Sequence, residues 1–554
     1  MFPVALTNRV GSFASERAQL VVACALTALL GGALQLHKLA SLDSAGREFS
    51  RTSNAVKVSF LVPFALAKSG ANLVVGALAD ATGRRKVTIV GWSIGTCAPV
   101  IAMIAAGVGK YGLVTLSAFF LGSAQGLVWT ALVLACVDLC GKARRGFASG
   151  LNETIGYSAI AVFAELYGSM ERSGVECAWK TQNRSAACVA ANAEQVCAKA
   201  DDWVQQCVGE CVCEGYMKVP MGIELMLCIV AILVALFLFR ESSTRVAQRI
   251  DRAPFVESGG ARRWEREIPE DDDAAGPSDI PSVGLRGGAY DSSDGGIATA
   301  SSLSGSNESI VDAMIRTTWK NKNTAVICYA AFCANFETAV AWGLVSVWAR
   351  DQLGLTGNER DFFTGCYSFM KGFTQIVSGL MSDKIGRKLP ISFGLIGGAI
   401  SLLIACFGAG FNGKFLTGAA DSDELQAMQL AYLTLSSVAL GFCTGVTYPV
   451  LAAAAIDHAP DEKHYASTLG VVRFWRDLGY CMGVPIAAIA DSASTEVALI
   501  LVSLVMASAG YGVHKMYAEN LRIEDASEQG YEPAASNDAE SESDARGGVE
   551  MTSR

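Results

Sequence analysis

Charge is scarce in this chain. Only 18% of its 554 residues are Asp, Glu, Lys or Arg, against 51% apolar side chains and a mean hydropathy of +0.34. A soluble protein of this length would divide into domains carrying far more charge, so that class is excluded. Histidine is scarcer still: four residues, scattered, give no convincing metal cluster. No arrangement of Ser, His and Asp reads as a hydrolase triad, and no Gly-rich tract has the setting of a nucleotide-binding loop. No cleavable signal peptide is evident, because the first apolar segment is too long and lacks a clear cleavage site. The reading therefore includes no enzyme activity, cofactor, metal or nucleic-acid partner.

What the chain has instead is long apolar runs. Segments of about 20 residues suffice to cross a hydrocarbon core of about 30 Å. Twelve can be read, at 18–42, 55–78, 87–108, 112–137, 148–170, 219–239, 324–348, 362–381, 389–411, 427–456, 466–489 and 495–516. Basic residues collect in short loops on one side: Arg84, Arg85, Lys86, Lys142, Arg144, Arg145, Arg240, Arg245, Lys384, Arg387 and Lys388. That bias predicts a cytoplasmic side, with both termini cytoplasmic. The net charge of −9 comes largely from two soluble tracts, a linker at 241–322 and a tail at 518–554. The linker carries Glu270-Asp271-Asp272-Asp273 and many Gly and Ser, with too few large apolar residues to bury a core, and it is expected to be disordered. It reads as a tether between two six-helix halves, 1–240 and 323–517; a phosphoregulated segment is the alternative.

The tract Gly76-Ala-Leu-Ala-Asp80-Ala-Thr-Gly83-Arg84-Arg85-Lys86 recurs, nearly in register, as Gly379-Leu-Met-Ser-Asp383-Lys-Ile-Gly386-Arg387-Lys388. Each copy joins two apolar runs, so the chain is an internally duplicated membrane protein. The repeat reaches back into the membrane. Lys68 and Lys371 each lie twelve residues before the aspartate, about 18 Å along a helix and near mid-membrane. Asn72 and Gln375 match in the same way.

The loop at 171–218 falls on the side away from the basic residues. Cys177, Cys188, Cys197, Cys207, Cys211 and Cys213 cluster there, as does the sequon Asn183-Arg-Ser185. Up to three disulfides and a glycan at Asn183 are expected on that face; a zinc cluster is the alternative use of the thiols. The remaining cysteines read as small core residues.

Ionisable groups inside hydrocarbon are costly and mark functional candidates. Lys68 and Lys371 read as cations facing a central cavity, binding an anionic group or exchanging a proton, or else as fixed partners of carboxylates. The seventh run offers Asn335 and Glu337, the fifth Glu153, and the eleventh Arg473, Arg476 and Asp477. Aligning Gly156-Tyr157 with Gly479-Tyr480 sets Glu153 opposite Arg476 in the repeat, opposite charges suited to a salt bridge that forms and breaks. Glu337 is the leading proton carrier, because desolvation favours a neutral carboxyl; hydrogen-bonded structure is the competing role. Glu165 and Glu224 lie nearer the outer ends and are expected to be wetted. Trp129 and Tyr448, each nine residues before an aspartate, either stack on a solute or pack the bundle.

With these residues the sequence resembles the major facilitator superfamily, whose signature is the repeated Gly-x-x-x-Asp-x-x-Gly-Arg-Lys/Arg. Phe60 to Trp92, Gly126 to Tyr157 and Arg473 to Tyr480 are similar to a poorly characterised branch of bacterial-type transporters. The resemblance implies an all-α fold of twelve membrane helices, two six-helix bundles related by a pseudo-two-fold axis around a central cavity, working as a monomer by rocker-switch alternating access. It implies that Asp80 caps the start of the eleventh span and Asp383 that of the fifth, a carboxylate at a positive helix end. Gly76 and Gly379 would permit the close approach, and Arg84 and Arg387 would hold each aspartate. The cysteine-rich outer loop departs from the family's compact pattern.

The reading is a secondary transporter of a small solute, coupled to protons through Glu337, Glu153 or Asp477. Lys68, Lys371, Arg473 and Arg476 tilt the solute toward small organic anions or amphipathic compounds. The alternatives are drug export by proton antiport and a non-transporting receptor built on the same fold. The expected membrane is the plasma membrane or one of the secretory pathway.

Overall fold

A computed structural model describes residues 16–140, 145–170, 176–181, 209–214, 217–242, 309–411, 422–460 and 464–519. The elements are α1 (Glu16–Arg47), α2 (Leu61–Thr82), α3 (Arg84–Val108), α4 (Tyr111–Cys140), α5 (Arg145–Met170), β1 (Glu176–Thr181), β2 (Gly209–Glu214) and α6 (Lys218–Phe237). Then follow α7 (Lys322–Asp351), α8 (Gly357–Ile385), α9 (Lys388–Phe411), α10 (Ser422–Asp457), α11 (Tyr465–Leu478, then Gly479–Met482 and Gly483–Ser492) and α12 (Thr495–Met516). All twelve expected spans are helices. Among the described residues nine are long and apolar enough to cross a membrane by length and composition. The other three, α5, α8 and α11, carry Glu153, Lys371 and the Arg473, Arg476 and Asp477 cluster, and α11 is also broken by a 3-10 turn. Large apolar side chains such as Val21, Phe373, Leu389, Phe393 and Ile400 point outward, the surface of a multi-pass membrane protein.

Two features depart from the sequence reading. The outer loop contains an antiparallel hairpin of β1 and β2, with Cys177 opposite Cys213 and Trp179 opposite Cys211 in register. The expected linker also ends early: Ile310–Ile315 is helical, capped by Ser309 and continued as a π turn to Lys320. Arg316 from this helix donates to Thr468 Oγ1 at 3.1 Å and Ser467 Oγ at 3.2 Å, tying it to α11. The rest of the linker, the tail beyond Glu519, Asn183, Cys188, Cys197 and Cys207 lie outside the described residues, as do the side chains of Cys177, Cys211 and Cys213.

Paired glycines set the depth of the two lysines. In α4, Gly122 and Gly126 sit four apart, and in α10 Gly441 and Gly445 repeat the spacing, the small-residue pattern that lets membrane helices touch backbone to backbone. A Cβ added at Gly126 would stand 2.8 Å from the Lys68 carbonyl oxygen, and one at Gly445 2.7 Å from that of Lys371. Both distances are too short for any side chain, so α2 and α8 can hold this position only against glycine. Gly445→Ala is expected to push α8 outward and cost about 1–3 kcal/mol, read as a lower melting temperature of the purified protein; an unchanged melt would refute this account.

Candidate functional site

A narrow polar cavity lies between the halves. Its lining includes Lys68, Asn72, Trp129, Glu153, Tyr157, Asn335, Trp342, Tyr448, Arg476, Asp477 and Tyr480. Seven sequence candidates, Lys68, Trp129, Glu153, Asn335, Tyr448, Arg476 and Asp477, thus meet at one place. Lys371, Glu337 and Arg473 are buried outside this lining; Arg473 bonds Thr130 of the lining and Lys371 lies over the rings of Tyr448 and Tyr157.

Asp477 organises one side. Its carboxylate, wholly buried, accepts from Asn335 Nδ2 at 2.7 Å, from Arg476 Nε at 3.2 Å, and from Asn72 Nδ2. Lys68 Nζ stands 3.7 Å from it, over the rings of Phe64 and Tyr480. The network continues through Thr130 Oγ1, which donates to Asn72 Oδ1 at 2.8 Å and accepts from Arg473 Nη1 at 2.9 Å. Two cations and two amides on one carboxylate satisfy its lone pairs away from water. Arg476 pairs here with its neighbour Asp477, and Glu153 accepts from Trp129 Nε1 at 2.9 Å. The bridge expected between Glu153 and Arg476 is not made in this conformation.

Lys371 is the repeat partner of Lys68, yet its surroundings differ. Its Nζ donates to Thr338 Oγ1 at 3.0 Å and Tyr367 OH at 3.1 Å. The ammonium sits 3.9 Å from the centre of the Tyr448 ring and 4.8 Å from that of Tyr157, a cation over aromatic faces. Glu337 reaches it only through shared hydroxyls: Tyr367 OH donates to Glu337 Oε2 at 3.5 Å and Thr338 Oγ1 at 3.3 Å. Trp342 stacks on Tyr480 at 6.1 Å from a π turn, Val340–Leu344, that interrupts α7. Such turns are frequent at functional sites. Thr338 and Tyr367 were missed in the sequence, although Tyr367 precedes Lys371 by the same four residues that separate Phe64 from Lys68.

Contacts join the halves on both sides of this cavity. At the end carrying the basic loops, Gly150 of α5 packs on Gln375 and Ile376 of α8, and Gly470 of α11 on Asn72 and Leu73 of α2. Asn72 and Gln375, matched in the repeat, therefore both meet a glycine of the other half. At the opposite end Asp43 of α1 takes Arg360 and Arg350, the former's Nη2 at 3.1 Å, and the Tyr167 hydroxyl at 2.9 Å. Lys57 pairs with Asp351, and Asp491 accepts from Ser53 Oγ at 2.7 Å and from the amides of Asn54 and Ala55 at 3.0 Å. None of Asp43, Arg350 and Arg360 was singled out beforehand. All three sit at span ends, where a charge is ordinary.

The repeated signature has its own device. Gly83 and Gly386 have φ of +100° and +83°, a region that side chains rarely adopt. Glu241, just past α6, accepts from the amides of Arg84 at 2.9 Å and Arg85 at 3.2 Å; Glu519, just past α12, accepts from those of Arg387 and Lys388. Each carboxylate caps the first turn of α3 or α9, where the helix dipole favours negative charge. Arg84 Nε bonds Asp138 at 3.1 Å and Arg387 Nε bonds Asp457 at 3.0 Å, while Arg85 reaches the last carbonyls of α6. Gly76 and Gly379 lie one turn before Asp80 and Asp383, whose side chains are outside the described residues. Glu165 is exposed as expected, whereas Glu224 corrects the reading. It is wholly buried and bonds His37 Nδ1 at 2.9 Å, because α6 turns that face toward α1.

The Major Facilitator Superfamily profile matches residues 5–164 and 327–530. The chain therefore belongs to that superfamily of membrane transporters. Among solved structures it is similar to a variant of the Escherichia coli fucose:proton symporter FucP, at 13% identity and a TM-score of 0.52, covering 91% of this chain and 100% of that one. It is also similar to the human organic anion transporter MFSD10 (TETRAN), at 12% identity and a TM-score of 0.54, covering 90% and 99%. At these identities the likeness concerns the fold. Among curated protein sequences none matches the chain.

Asp477→Leu is expected to cost about 3–5 kcal/mol, since it strands Lys68 and Arg476 in the interior. Adding Lys68→Met should return part of the loss. A double variant no more stable than Asp477→Leu would refute the coupling.

Proposed function

We propose that the protein is a secondary active transporter of a small organic anion, working by alternating access with proton coupling. The observation that carries this reading is Lys371. Four cations, Lys68, Lys371, Arg473 and Arg476, gather with three carboxylates, Glu153, Glu337 and Asp477, around one aromatic-walled cavity. Asp477 occupies Lys68 and Arg476, while Lys371 bonds only hydroxyls and lies against tyrosine faces. An anionic group entering the cavity would gain Lys371 as a charge-assisted donor. It would then compete with Glu337 for the same field, and a carboxyl losing its counter-charge in a dry site takes up a proton. Anion and proton would travel together.

The supporting geometry is a polar cavity between two helical halves with different kinds of contact at each end. The basic end is read as cytoplasmic, with both termini there, the linker joining the halves at 1–240 and 323–517, and a monomer as the working unit. The outer loop, with Cys177 and Cys213 in register across its hairpin, is read as disulfide-bonded and glycosylated at Asn183 on a surface or secretory-pathway membrane.

In proteoliposomes, an inward proton gradient is expected to drive accumulation of anions from a mixed metabolite pool, and collapsing the gradient should abolish it. Lys371→Gln should lower accumulation at least about tenfold, the worth of one charge-assisted hydrogen bond. Glu337→Gln should keep exchange but lose the response to pH. Uptake of cationic amphiphiles instead of anions would replace this reading with drug antiport, and binding without flux would point to a receptor.

A further inference from the structure

Lys38 is a buried lysine that the central site leaves unused. It lies on α1, is 2% exposed, and its Nζ has no hydrogen-bond partner among the described residues. Its close contact is the Trp342 ring, 4.6 Å from the centroid. Leu34, one turn earlier on the same face of α1, lines the central cavity, and Trp342 is one of its walls. Lys38 therefore stands one turn beyond the cavity, toward the end closed by Asp43. Gln35 lies three residues before Lys38 on α1, and Thr364 lines a second pocket together with Trp342. Both amide atoms of Gln35, the Thr364 hydroxyl and the Trp342 indole nitrogen are buried without a hydrogen-bond partner among the described residues. The charged groups acting on Lys38 are Arg360 and Asp361 of α8, which bond each other at 2.7 Å.

A buried ammonium with no acceptor is costly, and so is each unsatisfied amide and hydroxyl. Such a cluster is held ready for a ligand that supplies the acceptors. Trp342 links it to the central site, because Lys371 lies 5.9 Å from the same indole centroid. We propose that Lys38, with Gln35 and Thr364, forms an outer anion subsite that takes the second negative group of a dianionic solute. The first group goes to Lys371. This rests on the anion reading above and adds to it the solute class, a compound with two acidic groups joined by a short apolar chain.

The test uses hexanoate and adipate, equal in length with one and two carboxylates, as probes of the melting temperature of the purified full-length protein. Wild type should be stabilised by adipate at concentrations about tenfold or more below those of hexanoate. Lys38→Met should remove that difference, and Lys38→Arg should retain much of it. Without ligand, Lys38→Met should melt no lower than wild type, since no hydrogen bond is lost. A lower melt would make Lys38 a structural partner of Asp361 and overturn the subsite. A Lys38→Met protein that still prefers adipate, or a wild type without preference, would overturn it while sparing the central anion reading. No stabilisation by either probe would overturn both.

Discussion

Desolvation of charge is the constraint on which this structure rests. An ion moved from water into a membrane-embedded bundle loses several kcal/mol that only partners can restore. Asp477 is where the chain meets that demand most completely. Asn72 and Lys68 reach it from α2, Asn335 from α7 and Arg476 from its own helix, so one carboxylate joins the two halves at the cavity floor. The glycines of α4 and α10 serve the same end, because only backbone contact brings α2 and α8 close enough for their lysines to reach partners. Packing here is the means by which charge is tolerated.

Duplication supplies the frame, and its breaking supplies the site. Gly83 with Glu241 and Gly386 with Glu519 are near copies, as are Arg84 with Asp138 and Arg387 with Asp457. These symmetric devices tie each bundle together at its basic end. At the cavity the copies diverge. Lys68 faces a carboxylate, whereas Lys371 faces two hydroxyls and a set of rings. Phe64 became Tyr367 at the matching position, and that one hydroxyl links Lys371 to Glu337.

The twelve spans were legible because a bilayer demands long apolar helices, and the repeat aligned them. The central candidates were legible for the same reason: Lys68, Lys371, Glu337 and Asp477 stand out against hydrocarbon. Their pairing was not legible. Sequence set Glu153 opposite Arg476, and the side chains chose Trp129 and Asp477 instead, since hydrogen-bond geometry depends on rotations that spacing does not carry. Lys38 shows a different failure. It is as anomalous in its apolar span as Lys68, but it has no match in the second half, so a search guided by the repeat passed over it. His37 likewise has no match in the repeat, and its partner Glu224, expected to be wetted, is instead half of a buried pair within one bundle.

The same kind of bond has opposite consequences at the mouth and at the centre. Asp43 with Arg350 and Arg360, and Lys57 with Asp351, join the halves at the end away from the basic loops. Parting the halves there admits water, so each broken pair recovers its hydration and little is lost. Separating Lys68 from Asp477 with the cavity closed would leave both ions dry and unpaired, a far larger loss. Ion pairs at the mouth are therefore suited to repeated breaking, and the pair at the centre to staying in place while the walls move. At the basic end the described contacts are glycine against backbone, whose gain lies in close packing and vanishes within an ångström of separation. The two ends thus resist opening through different physics, one sensitive to water and salt, the other to shape.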